Sequence, residues 1–215
     1  MTGVQTCALP ISELGDPFAR CGLLVLRGAG LRLGELLDLE LDSIVDYGPA
    51  GSWLRVPLGK LGTERSVPLD PDTLAALDAW AAHRGPQRPL PHPRGGRPTD
   101  FLFCEHGRQL RPWRIRKGLD QAVGAAGLTG PDGAPLRVVP HQLRHTCAMA
   151  LRHAGVDIST IALWLGHESI ATSQIYLHAD LALKERALAR TAPPAATPPG
   201  RYRPPDPLLA FLEGL

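Results

Sequence analysis

The sequence predicts a mainly α-helical fold with one small antiparallel β-sheet, an α+β arrangement, on three observations. Apolar residues recur at mixed three and four spacings from Pro17 onward and again after Pro112. Short β-type runs are confined to the stretch between Ser43 and Leu69. Glycines stand where the later helical runs should stop.

The elements follow in order. Leu23, Leu24 and Leu26, then Leu33, Leu36 and Leu37, suggest two helices joined by a turn at Gly28 to Gly30. Ser43 to Tyr47, Trp53 to Pro57 and Arg65 to Leu69 are separated by Gly48, Pro49 and Gly51 and by a Gly59 to Gly62 turn, which predicts three antiparallel strands. Asp70 or Asp72 can cap a helix over Thr73 to His83, with Pro71 at a tolerated early position. Gly85 to Pro98 is rich in proline, glycine and arginine and is predicted to be an exposed loop without a packed core. A helix resumes near Pro112 and runs to about Gly127. Beyond Pro135, helices are expected over His141 to Ala154, Ile158 to Leu165, Ser169 to Leu177 and Leu181 to Arg190. Thr191 to Pro207 has the composition of a proline-rich linker. Leu208 to Leu215 is a short apolar tail that needs a surface to dock on, in its own chain or a neighbour's.

At 215 residues and 44% hydrophobic content the chain can bury one good core. No run is apolar enough to cross a bilayer and no charged n-region precedes an apolar h-region, so the expected compartment is the cytoplasm. Cys7, Cys21, Cys104 and Cys147 are scattered with no CxxC pair, which argues against a disulfide framework or structural zinc. The first eleven residues, MTGVQTCALPI, have neither period and resemble the translation of a sequencing-library adapter. On that reading they are a scar to exclude from fold reasoning, and the natural protein extends further upstream of Ser12.

The net charge of +2 says little, but its distribution is uneven. Arg84 to Lys117 holds nine basic residues against Asp100 and Glu105, whereas Glu13 to Asp46 holds seven acids and three arginines. A basic stretch of this kind is expected to attract phosphates.

Four short segments carry candidate chemistry. His141 and Arg144, three apart, share a helix face and suit a phosphate: the guanidinium fork matches two oxygens and imidazole can donate a hydrogen bond or proton. His167 lies in a Leu-Gly-His segment, and Tyr176 follows nine residues later. Arg32 and Glu35, three apart at a helix start, would be explained by an ordinary ion pair. Lys60 sits at the tip of the predicted hairpin, where lysines are common anyway.

Taken in order, these segments resemble the tyrosine recombinase, or phage integrase, family from about Pro17 to Arg190, and the stretch from Pro140 to Asp180 does so almost continuously. The family pattern is an arginine in a GLRxxE segment, a hairpin lysine, an HxxR pair, a histidine or tryptophan in an LGH-like segment, and a tyrosine nine residues on. Here it falls on Arg32, Lys60, His141 with Arg144, His167 and Tyr176, with Glu35 at the accompanying acidic position.

The resemblance implies a recombinase catalytic-domain fold over residues 12–190 and a DNA strand-cleaving and rejoining enzyme working through a 3′-phosphotyrosyl intermediate. Tyr176 would be the nucleophile, Arg32 and Arg144 the stabilisers of phosphate charge, His141 an aid to deprotonation, Lys60 the proton donor to the leaving 5′ hydroxyl, and His167 a hydrogen-bond donor to the phosphate. No cofactor, metal or ATP is implied. The implied partners are double-stranded DNA, three further copies in a homotetramer on two DNA sites, and accessory directionality proteins. Family members commonly carry a separate N-terminal helical domain that clamps the other face of the DNA, and nothing before Pro17 resembles one. Three alternatives compete with this reading. A zinc hydrolase built on His141 and His145 lacks the HExxH glutamate and a third ligand. A DNA-binding accessory protein could keep the fold without cutting. A type IB topoisomerase uses similar chemistry but matches the Leu165 to Tyr176 segment less well.

Overall fold

The structure, a computed structural model, describes residues 9–57, 64–130 and 132–167, all within one compact unit. Six α-helices are described: α1 (Pro17–Gly28), α2 (Leu33–Leu37), α3 (Pro71–Arg84), α4 (Pro112–Ala125), α5 (Pro140–His153) and α6 (Ile158–Leu165). A three-stranded antiparallel sheet, β1 (Ile44–Asp46), β2 (Ser52–Val56) and β3 (Arg65–Pro68), lies between α2 and α3 in sequence, with Ile44 opposite Leu54 and Leu54 opposite Val67. Two short two-stranded ladders, β4 (Leu90–Pro91) with β5 (Pro98–Thr99) and β6 (Cys104–Glu105) with β7 (Arg108–Gln109), connect α3 to α4. The predicted mainly helical fold with a small antiparallel sheet is therefore what forms. The expected helices over Ser169 to Leu177 and Leu181 to Arg190, the linker and the tail lie outside the described residues.

α1 is the central element and packs against α3, α4 and α5. Asp16 caps its start, accepting bonds from the backbone N–H groups of Phe18 and Ala19, with Pro17 at the first helical position. Phe18, Leu23, Val25 and Leu26 are fully buried, and Phe18 meets Trp80 of α3 and Phe103 at ring-centroid distances of 5.8 and 5.3 Å. The Trp80 indole N–H is satisfied by the Leu102 carbonyl at 2.9 Å.

Two expectations change. Leu9 and Ile11, inside the segment set aside as a scar, are 4% and 1% exposed and belong to the main core, and a 3-10 turn over Ile11–Glu13 leads into α1. Whatever its origin, the end of that segment is part of the fold, because two apolar side chains reach the core just before α1. The Gly85 to Pro98 loop is exposed but not loose. The β4–β5 ladder closes it, and Arg94 and Arg97 bind Asp38 and Glu40, just beyond α2.

The same pairing decides the fate of the basic stretch. Arg84 is 6% exposed; its Nε donates to the Phe101 carbonyl and it pairs with Asp100 at 2.9 Å. Arg114 pairs with Asp16 and Glu105 at 2.7 and 2.9 Å. Four of the nine basic residues are thus neutralised, three of them by acids of the Glu13 to Asp46 segment.

The packing of Ile11 yields a direct test. Ile11→Ala should lower unfolding stability by about 2–4 kcal/mol, the usual cost of truncating a buried aliphatic residue, read as a shift of the urea midpoint. A change below about 0.5 kcal/mol, the range of surface substitutions, would remove residues 9–11 from the core.

Candidate active site

The site is assembled where the C-terminal ends of α1 and α6 meet. The last carbonyls of a helix have no partner within it and carry partial negative charge. After α1, three successive carbonyls accept from side chains of α5 and α6: Gly28 from Cys147 Sγ at 3.2 Å, Ala29 from Trp164 Nε1 at 3.2 Å, and Gly30 from Arg144 at 2.6 Å. At the end of α6, three more each receive a different arginine. Trp164 accepts from Arg65 Nε at 2.9 Å, Leu165 from Arg144 at 2.5 Å and Gly166 from Arg32 at 3.2 Å.

Both turns use glycine for a physical reason. Gly30 (φ +68°) and Gly166 (φ +62°) are in the left-handed region. A Cβ on Gly30 would stand 2.7 Å from the Leu165 side chain, and one on Gly166 would stand 2.8 Å from the Arg65 guanidinium. The GLR and LGH segments are therefore two faces of one contact.

Glu35 sits beneath this junction, 7% exposed. It closes the start of α2 by accepting the Arg32 backbone N–H at 2.8 Å, and it takes the Arg32 guanidinium at 2.7 Å. Arg65 grips it with two bonds of 2.8 and 3.1 Å, and Arg144 approaches to 3.9 Å. Burial alone would raise the carboxyl's pKa, but the Arg65 and Arg32 bonds and charges bring it down to about 2. Three guanidiniums answer one carboxylate, so the cluster keeps an excess of positive charge.

Of the residues singled out from the sequence, the structure brings Arg32, Glu35, Arg144 and His167 together. Arg144 is 1% exposed in the interior, while the Arg32 side chain is 44% exposed at the surface. His167 is partly buried, and its backbone N–H returns to the Ala162 carbonyl at 2.9 Å. Burial, then Arg144, Arg32, Arg65 and His141, pull its pKa down to about 4, so it is a neutral imidazole at pH 7. His141, at the first turn of α5, is exposed and shares a cleft with Arg32. His145, one turn on, has its pKa lowered by burial and by His141. Among the described residues no group of three or more His, Cys, Asp or Glu side chains is placed to hold a metal. Lys60 and Tyr176 lie outside the described residues.

Arg65 joins the cluster from outside the sequence motifs. Its signal is present in the sequence pattern. β3 alternates, and Arg65 shares the inward face with the fully buried Val67, so an arginine there requires a buried acid or carbonyl.

A family model for the phage integrase family matches residues 14–182. The chain belongs to the phage integrase family. Among the relatives it resembles, a putative integrase/recombinase, y4rC, from Sinorhizobium fredii is 41% identical over 193 residues, covering 90% of this chain and 54% of the relative. Tyrosine recombinase XerC from Mycobacterium bovis is 36% identical over 188 residues, covering 86% and 58%. The chain thus spans a little over half the length of these relatives. Of solved structures, the XerA recombinase superposes with a TM-score of 0.63 at 26% identity, over 84% of this chain and 60% of that one. XerH site-specific recombinase, captured with a palindromic difH substrate after cleavage, does so with 0.62 at 25% identity, over 82% and 47%. The helical fold with its small sheet is that of the family's catalytic domains. No described helix is long and apolar enough to cross a membrane.

The Glu35 cluster predicts a pH dependence. A carboxyl at about 2 in the folded chain and at 4.5 in its ordinary state contributes stability that is complete above 4.5 and is lost as pH falls towards 2. Its size is on the order of 3 kcal/mol. Glu35→Gln should flatten this acid limb in urea titrations at stepped pH. An unchanged limb would mean the arginines do not hold the carboxylate charged.

Proposed function

We propose that this chain is the catalytic part of a site-specific DNA recombinase that cleaves and rejoins DNA through a 3′-phosphotyrosyl intermediate. The observation that carries the reading is the convergence of Arg32, Arg144 and His167, from three separate segments, on one positively charged junction in a member of this family.

In this mechanism the Tyr176 oxygen attacks the scissile phosphorus, the bond to the 5′ oxygen breaks, and the 5′ hydroxyl leaves with a proton from Lys60. A free tyrosine has a pKa of about 10, so the phenol needs positive charge nearby and an acceptor for its proton, the role given to His141. Arg32 and Arg144 stabilise the charge that builds on the non-bridging oxygens. The helix-end carbonyls and Glu35 orient both guanidiniums beforehand, so little reorganisation is needed when the phosphate arrives. His167, neutral at pH 7, serves as a hydrogen-bond donor to the phosphate. Because the phosphotyrosyl bond stores the energy of the broken linkage, rejoining is the reverse step and requires no ATP. The working unit on this reading is a homotetramer on two DNA duplexes, as the sequence resemblance implies.

The test is covalent trapping on nicked suicide duplexes at low salt. The chain should form a denaturation-resistant DNA adduct that is lost in Tyr176→Phe, and Arg144→Ala should slow its formation by about a hundredfold or more, the usual effect of removing one oxyanion donor. An adduct that persists in Tyr176→Phe, or bound DNA with no adduct, contradicts the proposal.

A further inference from the structure

The cleft that Arg32 and His141 share holds more positive charge than the proposed chemistry uses. It is a cavity of about 630 Å³ whose lining also includes Arg116 of α4 and Arg137, three residues before α5. Both are exposed, and among the described residues no acid pairs with either. Asp120 is the carboxylate in the lining, one turn along α4 from Arg116, and forms no ion pair with it.

This distinguishes them from Arg84, Arg94, Arg97 and Arg114, whose charges are spent on Asp100, Asp38, Glu40, Asp16 and Glu105. Two guanidiniums lining one cleft, with no acid paired to either among the described residues, favour an anion there. The cleft is too large for one phosphate and opens onto Arg32, the exposed arginine of the candidate site. An anion that repeats along a chain fits it.

We propose that Arg116 and Arg137 hold DNA backbone phosphates next to the scissile one, so that the strand is held in register beside the reacting group. The inference rests on the recombinase reading and adds residues that lie outside its sequence motif. Guanidinium forks matched to phosphate oxygens position a strand without reading its sequence. Their contribution therefore consists of counterion release and register, and it applies equally to all sequences.

The test is a salt titration of duplex DNA binding by the full chain, followed by fluorescence anisotropy. Each of Arg116→Ala and Arg137→Ala should make the slope of log K against log salt shallower by about 0.9, and the double variant by about 1.8. The paired substitutions Arg116→Lys and Arg137→Lys should restore most of the slope, since charge and not packing is at issue. Arg88→Ala, which removes an exposed arginine of the same basic run outside the cleft, should leave the slope unchanged. A double variant with the wild-type slope, in a chain that still forms the Tyr176 adduct, overturns this inference alone. A wild-type chain with neither DNA binding nor adduct overturns it together with the recombinase reading.

Discussion

A carboxylate withdrawn from water keeps its charge only if donors surround it, and at Glu35 those donors are guanidiniums of the candidate site. The loop after α1 supplies Arg32 and the sheet supplies Arg65 as donors, and α5 brings the Arg144 charge to 3.9 Å. Each arginine also fills an unpaired carbonyl at the end of α6, so carboxylate and helix end act as two jaws. Breaking a buried pair by removing one partner strands the other charge, at a typical cost of about 3–5 kcal/mol. The fold therefore cannot form well without placing these groups, and in placing them it leaves a surplus of positive charge where Arg32 meets the surface. Neutral His167 follows from its burial and from the same surplus, because a fourth cation beside three arginines is unfavourable.

Much of this was legible in the sequence because it is local. The cap at Asp70, one of the two offered, the Gly30 and Gly166 turns and the strand alternation each depend on a few neighbouring residues, and among the described residues the three predicted strands and the helices α3 to α6 formed within about two residues of expectation. The Arg32 and Glu35 pair was visible as three-residue spacing. Its larger meaning was not, since Arg65 and Gly166 reach it across 30 and about 130 positions of chain. Spacing along a helix predicts the ion pair; only tertiary contact reveals the hub.

The charge pattern shows the opposite failing. Arg84 to Lys117 reads as a phosphate-attracting run, yet its arginines divide by what lies opposite them in space. Arg94 and Arg97 fasten a loop to the residues beyond α2, Arg84 supports the core, and Arg114 ties α4 to the start of α1. The acid-rich segment near the start of the chain is the counterpart of Arg94, Arg97 and Arg114, and a count of charges along the sequence cannot pair the two. Residues 9–11 teach a related lesson: a segment with no period of its own can still contribute two core side chains, because burial of single residues needs no repeat.

The central claim is that Glu35 and the arginines form one coupled unit and not a set of independent pairs. A double-mutant cycle in urea unfolding at pH 7 addresses it directly, using Glu35→Gln, Arg65→Ala and the combination. The account predicts a coupling energy of roughly 1.5–3 kcal/mol, as for residues sharing a buried network. Additivity within about 0.5 kcal/mol, the behaviour of distant independent sites, would contradict it.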